Sequence, residues 1–145
     1  MDQTQDRLLL DSQLTELSRV TSWVEILADR YGLTEDARFA VNLCLEEALA
    51  NVVLHGYQNE PGHPILIQSF VANGSLFFAI EDKAPAFAPV DPGEQKPVDL
   101  ETMQPGGHGI RLIHRFAGSV AYEQLPDGNR LSIGFPVSIA KNVSV

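Results

Sequence analysis

From Leu43 to Leu54 nine of twelve residues are apolar, a density that predicts a largely buried helix. Polar groups nevertheless sit within it. At about 100° per residue, Glu47, Asn51 and His55 fall on one stripe, each four residues from the next. A buried carboxylate or amide costs free energy unless it is paired, hydrogen-bonded or bound to a metal. The economical explanation is a stripe that faces a pocket holding a polar ligand.

The rest of the chain alternates between recognisable periods. Arg7 to Leu10 is a short apolar run, read as an edge strand. Asp11 or Ser12 can cap a helix whose apolar positions are Leu14, Leu17, Trp23, Val24 and Leu27, with Gly32 as its stop. Thr34 caps the next helix, and Glu35 and Asp36 occupy its first turn, where the helix dipole favours negative charge. That helix carries the polar stripe and ends near His55-Gly56. Two strands at 64–72 and 75–82 are joined by Asn73-Gly74, a strong hairpin signal.

Periodicity then stops. Residues 83–107 hold five prolines, Pro85, Pro89, Pro92, Pro97 and Pro105, together with glycines and charges. An irregular stretch of that length inside a domain is either functional or disordered. Beyond it, Ile110, Leu112, Ile113 and Phe116 predict a short helix closed by Ala117-Gly118. Strands at 119–125 and 130–137 flank a turn at Pro126-Asp127-Gly128-Asn129. The order β-α-α-β-β-loop-α-β-β predicts an α+β layer of helices on one face of a mixed, mostly antiparallel sheet.

Composition narrows the function classes. With 145 residues, 44% apolar and 20% charged, the chain has the makings of one globular domain with a real core. A formal net charge of −9 argues against sequence-independent nucleic-acid binding and against anionic membranes. No apolar run approaches the roughly 20 residues that span a bilayer. The opening Met1-Asp2-Gln3-Thr4-Gln5-Asp6 is polar and acidic, unlike a signal peptide, so a cytoplasmic location is the expectation. Cys44, the single cysteine, lies in the apolar helix and reads as a buried structural thiol.

Three segments are candidates for chemistry. A carboxylate and an amide one turn apart, Glu47 and Asn51, can respectively orient or deprotonate a nucleophile and ligate a hard cation such as Mg²⁺. The same pair could instead be satisfied by capping or interhelix hydrogen bonds. Asp82, at the end of the apolar strand Phe77-Phe78-Ala79-Ile80-Glu81, can present a carboxylate to an exocyclic amino group such as that of adenine, or can simply begin a turn. Gly106-Gly107-His108-Gly109 leads into a helix and suits close backbone approach to phosphate, although it is neither a P-loop nor a dinucleotide fingerprint. The four histidines lack zinc-ligand spacing.

Order and spacing say more than any one segment. Glu47-Ala48-Leu49-Ala50-Asn51-Val52-Val53-Leu54-His55-Gly56, then Asp82-Lys83-Ala84-Pro85-Ala86-Phe87, then Gly106-Gly107-His108-Gly109-Ile110-Arg111-Leu112-Ile113, and finally Asn129-Arg130-Leu131-Ser132-Ile133 succeed one another. This series resembles the ATP-binding domain shared by histidine kinases, gyrase, heat-shock chaperones and mismatch-repair ATPases. Within that superfamily it is similar to the small anti-sigma-factor serine/threonine kinases of bacterial partner-switching systems. The resemblance covers about Arg7 to Val137.

The resemblance implies a Bergerat-type two-layer α+β sandwich, a single histidine kinase-like ATP-binding domain over residues 1–145 with a lid at about 88–106. It implies Asn51 as a ligand of Mg²⁺ bridging the ATP phosphates and Glu47 as general base toward a serine of a protein substrate. Asp82 would accept from the adenine amino group, and Ala84 and Ala86 would flank the base. Gly106, Gly107, His108, Gly109 and Ile110 would line the phosphates, and Ser132 would support the adenine. The implied partners are an anti-anti-sigma antagonist, a sigma factor or other regulated protein, and a second copy in a homodimer. Ala84 and Ala86 stand where the superfamily often has glycine. Alanine adopts positive φ only at a cost, so the turn beneath adenine must differ. A non-catalytic, nucleotide-gated binding switch is the alternative function, and retention of both Glu47 and Asn51 favours the enzyme.

Overall fold

Alternating burial along the strands decides the architecture. The computed structural model describes residues 6–85, 95–97, 113 and 115–136. Its strands are β1 (Asp6–Asp11), β2 (Pro64–Ala72), β3 (Ser75–Asp82), β4 (Gln95–Pro97), β5 (Ser119–Leu125) and β6 (Gly128–Phe135). They form one sheet in the order β1-β2-β3-β6-β5-β4. Every pairing among the described residues is antiparallel. Successive side chains in a strand point to opposite faces. Ile65 and Ile67 of β2, Leu76, Phe78 and Ile80 of β3, Tyr122 of β5, and Ile133 and Phe135 of β6 are the buried set.

Helices α1 (Leu17–Tyr31) and α2 (Glu35–Asn51) cover that face with Val20, Val24, Leu27, Val41, Leu45 and Leu49. Trp23 and Phe78 form a T-shaped pair with ring centres 5.9 Å apart, as do Phe78 and Phe135 at 6.0 Å. Such T-shaped pairs contribute about 0.5–1.5 kcal/mol each beyond the area they bury. The layered α+β sandwich expected from the sequence is therefore the fold.

The start of α1 differs from expectation. A short 3₁₀ turn at Leu14–Glu16 precedes it, and no side chain caps it. Asp11 and Ser12 serve a remote loop instead. Ser12 Oγ donates to Glu60 O at 2.7 Å and accepts from His63 N at 3.0 Å, while the Asp11 carboxylate accepts from Gly62 N. The next residues close the free edge of β1. Glu16 accepts from Asp11 N at 2.9 Å, and Arg19, paired with Glu16, donates to Leu9 O at 3.2 Å. Unpaired edge groups invite pairing by another strand, and these two side chains occupy two of them.

Helix α2 begins as expected. Thr34 has extended backbone and its Oγ1 accepts from Ala37 N at 3.1 Å, a cap that contributes about 1 kcal/mol. Gly32 ends α1 in the left-handed region at φ 65. The Asn73-Gly74 hairpin has positive φ at both positions, 51 and 75, as a tight primed turn requires.

Two boundaries moved. Within the long irregular segment, Gln95–Pro97 forms an edge strand against Ala121–Glu123 of β5. A proline is tolerated there because one side of an edge strand needs no donor. The final turn is only Pro126-Asp127, so Gly128 and Asn129 already belong to β6. Of the short helix expected after 110, Ile113, Arg115 and Phe116 are described and helical.

Candidate functional site

Asp82 ends β3 near the middle of the sheet, on the helix-facing side with Phe78 and Ile80. It is only 8% exposed. Its direct partner across the strands is Asn129. Asp82 Oδ1 accepts from Asn129 Nδ2 at 2.8 Å and from Ala84 N at 2.9 Å. Oδ2 has no hydrogen-bond partner among the described residues, and a carboxylate oxygen with no protein donor is the acceptor that a ligand amino group needs. Burial pushes the Asp82 carboxyl up, and the hydrogen bonds from Asn129 and Ala84 oppose that rise.

Asn129 is tied further. Nδ2 also lies 3.1 Å from both Ala84 O and Pro85 O, and Oδ1 accepts a short hydrogen bond from the Tyr122 hydroxyl. Tyr57 fixes the next peptide, since its hydroxyl accepts from Lys83 N at 2.7 Å and donates to Pro64 O at 2.8 Å. Burial pushes the Tyr57 phenol up from its ordinary value. Ala84 is not in the left-handed region, so the turn after Asp82 is built without the positive φ that glycine would supply.

Glu47 and Asn51 lie one turn apart near the C-terminal end of α2, and both are half-buried. Neither side chain makes a hydrogen bond or ion pair among the described residues, so the structural alternative of satisfied caps or interhelix bonds is not found there. Cys44, one turn before, is fully buried; burial and then the charge of Glu47 push its thiol up to about 12.

The helix reaches the strand end through a π turn at Val52–Gly56, closed by Tyr57 N donating to Val52 O at 2.8 Å. One extra residue per turn rotates the side chains beyond Asn51 away from their regular positions. His55, which four-residue spacing puts on the stripe, is exposed, whereas Glu47 and Asn51 are half-buried. Gly56 comes against Ala84 instead, so close that a Cβ on Gly56 would lie 3.2 Å from the Ala84 Cβ. That contact brings the end of the helical segment to the Asp82 loop.

Ser132 is not brought into this group. It pairs with Ala79 and Ala121 on the opposite face of the sheet, beside Arg130, whose guanidinium bridges Glu81 and Glu123. Three residues along a strand reverse the face, so Asn129 and Ser132 cannot both look toward the helices. The phosphate-loop residues Gly106, Gly107, His108, Gly109 and Ile110, together with Ala86 and all of the lid except 95–97, lie outside the described residues. Asn129, Tyr122 and Tyr57 are the members that sequence reasoning missed. The signal for Asn129 was the strand register, which becomes readable only once Gly128 is known to start β6.

Two helices on one face of an antiparallel sheet, with an open carboxylate at a strand end and a Glu-Ala-Leu-Ala-Asn helix beside it, define the class of the histidine kinase-like ATPases. The chain belongs to the histidine kinase-like ATPase domain family, which it matches over residues 10–135. It is 31% identical over 137 residues to the serine/threonine-protein kinase BtrW of Bordetella bronchiseptica, covering 92% of this chain and 94% of that protein. It is 26% identical over 98 residues to an anti-sigma F factor of Oceanobacillus iheyensis, covering 65% of each. The solved RsbU and RsbW domains of Rv1364c from Mycobacterium tuberculosis share the fold, with a TM-score of 0.67 and 12% identity. That match covers 93% of this chain and 33% of the other, so the chain spans about a third of it. Among the described residues no helix is long and apolar enough to cross a membrane.

Proposed function

We propose that this chain is an ATP-dependent serine/threonine protein kinase and anti-sigma-type regulator of a bacterial partner-switching system. It phosphorylates a serine of a small antagonist protein. It binds a sigma factor, or another regulated protein, in alternation with that antagonist, and works in the cytoplasm as a homodimer. The observation that carries this reading is the pair Glu47 and Asn51, half-buried, one turn apart and free of hydrogen bonds and ion pairs among the described residues. A pure binding surface has no chemical need for that carboxylate. The names of the 31% identical kinase and of the anti-sigma F factor support the same reading.

The donor set fits a magnesium nucleotide. Asp82 Oδ2 supplies an anionic acceptor for the adenine amino group, and the Asn51 amide oxygen is a hard ligand for Mg²⁺. Mg²⁺, when bound, supplies charge neutralisation on the phosphates, which phosphoryl transfer requires more than covalent help. The chain's own contribution is placement. The π turn and the Gly56–Ala84 contact fix α2 relative to the base site, and Glu47 stands one turn from Asn51 to take the proton of the incoming serine hydroxyl.

The test is a titration with ATP, with and without Mg²⁺, followed by a transfer assay with labelled ATP and a serine-bearing antagonist protein. Mg-dependent binding and label on the antagonist are expected. Binding without transfer would leave a nucleotide-gated switch, and no binding at millimolar ATP would refute the kinase.

A further inference from the structure

We infer that Tyr122 is a positioning residue for base recognition: its hydroxyl locks the Asn129 amide so that Asp82 offers one open acceptor, Oδ2, to the exocyclic amino group of adenine. The inference rests on the ATP-binding reading above and deepens it.

Donors and acceptors decide which way the amide faces. A primary amide has one acceptor end and one donor end, and rotation by half a turn exchanges them. Three acceptors face the same end of Asn129: Asp82 Oδ1 at 2.8 Å, Ala84 O at 3.1 Å and Pro85 O at 3.1 Å. Only the NH₂ group can sit there. Flipped, the amide would set oxygen against a carboxylate and two carbonyls. The opposite end must then accept, and the Tyr122 hydroxyl, from the neighbouring strand β5, donates to it. Tyr122 is 1% exposed. Water therefore does not readily replace its hydroxyl.

Asp82 is thereby divided into two unlike oxygens. One is saturated by Asn129 Nδ2 and Ala84 N, and the other is left for the ligand. A fixed anionic acceptor favours a base carrying an amino group over one with hydrogen at the same position, because only the former has a proton to donate. Without the Tyr122 hydroxyl the Asn129 oxygen loses that donor. The amide is then held less firmly, with the anchor from β5 gone and its NH₂ end still fixed by three acceptors, and Asp82 loses part of its fixed aim. Tyr122 touches no ligand in this scheme. It acts through Asn129.

The experiment compares Mg-ATP with Mg-purine riboside triphosphate, which lacks the 6-amino group, by calorimetry on the full chain. Wild type is expected to prefer ATP. In Tyr122→Phe the ATP affinity falls about five- to tenfold while that of the analogue is unchanged, so the preference collapses. Equal loss for both nucleotides would mark the hydroxyl as merely structural, and an unchanged preference would overturn the inference. If Tyr122→Phe does not fold, Asn129→Ala serves, since it removes the link between the Tyr122 hydroxyl and Asp82 without adding a charge. Collapse of the preference supports the inference, and its survival sinks it. Failure of wild type to bind ATP at all overturns the underlying ATP reading, and a wild type that binds both nucleotides equally overturns the base-recognition role alone.

Discussion

Gly128 passes so close to the backbone of Asp82 that a Cβ there would stand 1.9 Å from the Asp82 carbonyl oxygen. Its φ is unremarkable, so the requirement is for space and not for conformation. The close passage seats the next residue, Asn129, directly opposite Asp82. Gly128→Ala must push β6 away from β3 at the base site. We expect a loss of about 1–3 kcal/mol of stability, the usual cost of overpacking, measured by urea unfolding. ATP affinity should fall with it, because the displaced strand carries Asn129.

Asp82 is held at a cost to the fold. Burial raises its carboxyl, so the folded state binds the proton more tightly than the unfolded chain. For such a group stability is greatest in acid and declines as pH rises from the ordinary carboxylate range through the raised folded value. Asp82→Asn removes that decline. The variant should melt higher than wild type at pH 7, by a margin that vanishes in acid, and should lose the preference for ATP over purine riboside triphosphate. A lower melting temperature at pH 7 would contradict the assignment of burial as the dominant influence.

Glu47→Gln keeps the size of the side chain and removes the proposed base. Transfer to the antagonist should drop by about 10²–10⁴-fold, the range typical of a positioned general base. Nucleotide affinity should stay as it is, since Glu47 is not called on to hold the phosphates. Retained single-turnover transfer in this variant would refute the base assignment.

Asn51→Ala separates metal from base. We expect Mg-dependent ATP binding to weaken by more than about tenfold, the loss that accompanies removal of even an outer partner of a bound metal. Binding measured in the presence of a chelator should be unaffected. Equal affinities for wild type and variant in Mg²⁺ would remove Asn51 from the metal site.

Cys44 should be chemically silent. With its thiol pushed up to about 12 and its side chain fully buried, only about one part in ten thousand is thiolate at pH 8. Iodoacetamide should leave the folded protein unmodified over hours and alkylate it promptly in urea, as read by mass spectrometry.

The sequence by itself determined most of the elements and the pair of helix residues proposed for the chemistry. Thr34 caps α2, Gly32 stops α1 and Asn73-Gly74 turns the hairpin because those preferences act over three or four residues and need no distant partner. Glu47 and Asn51 were legible for the same reason, since four residues of helix return a side chain to one face. Tertiary structure decided the features that depend on contact between remote segments. A π turn at Val52–Gly56 carries Gly56 against Ala84, and His55 beside it is exposed. Asp11 and Ser12 abandon a helix cap for the 60–63 loop. Ser132 falls on the far face while Asn129 meets Asp82, because the register of β3 against β6 fixes parity, and a shift of one residue would exchange the two faces. In that register Gly128 passes close to the Asp82 carbonyl, an approach between residues 46 positions apart that no local pattern encodes.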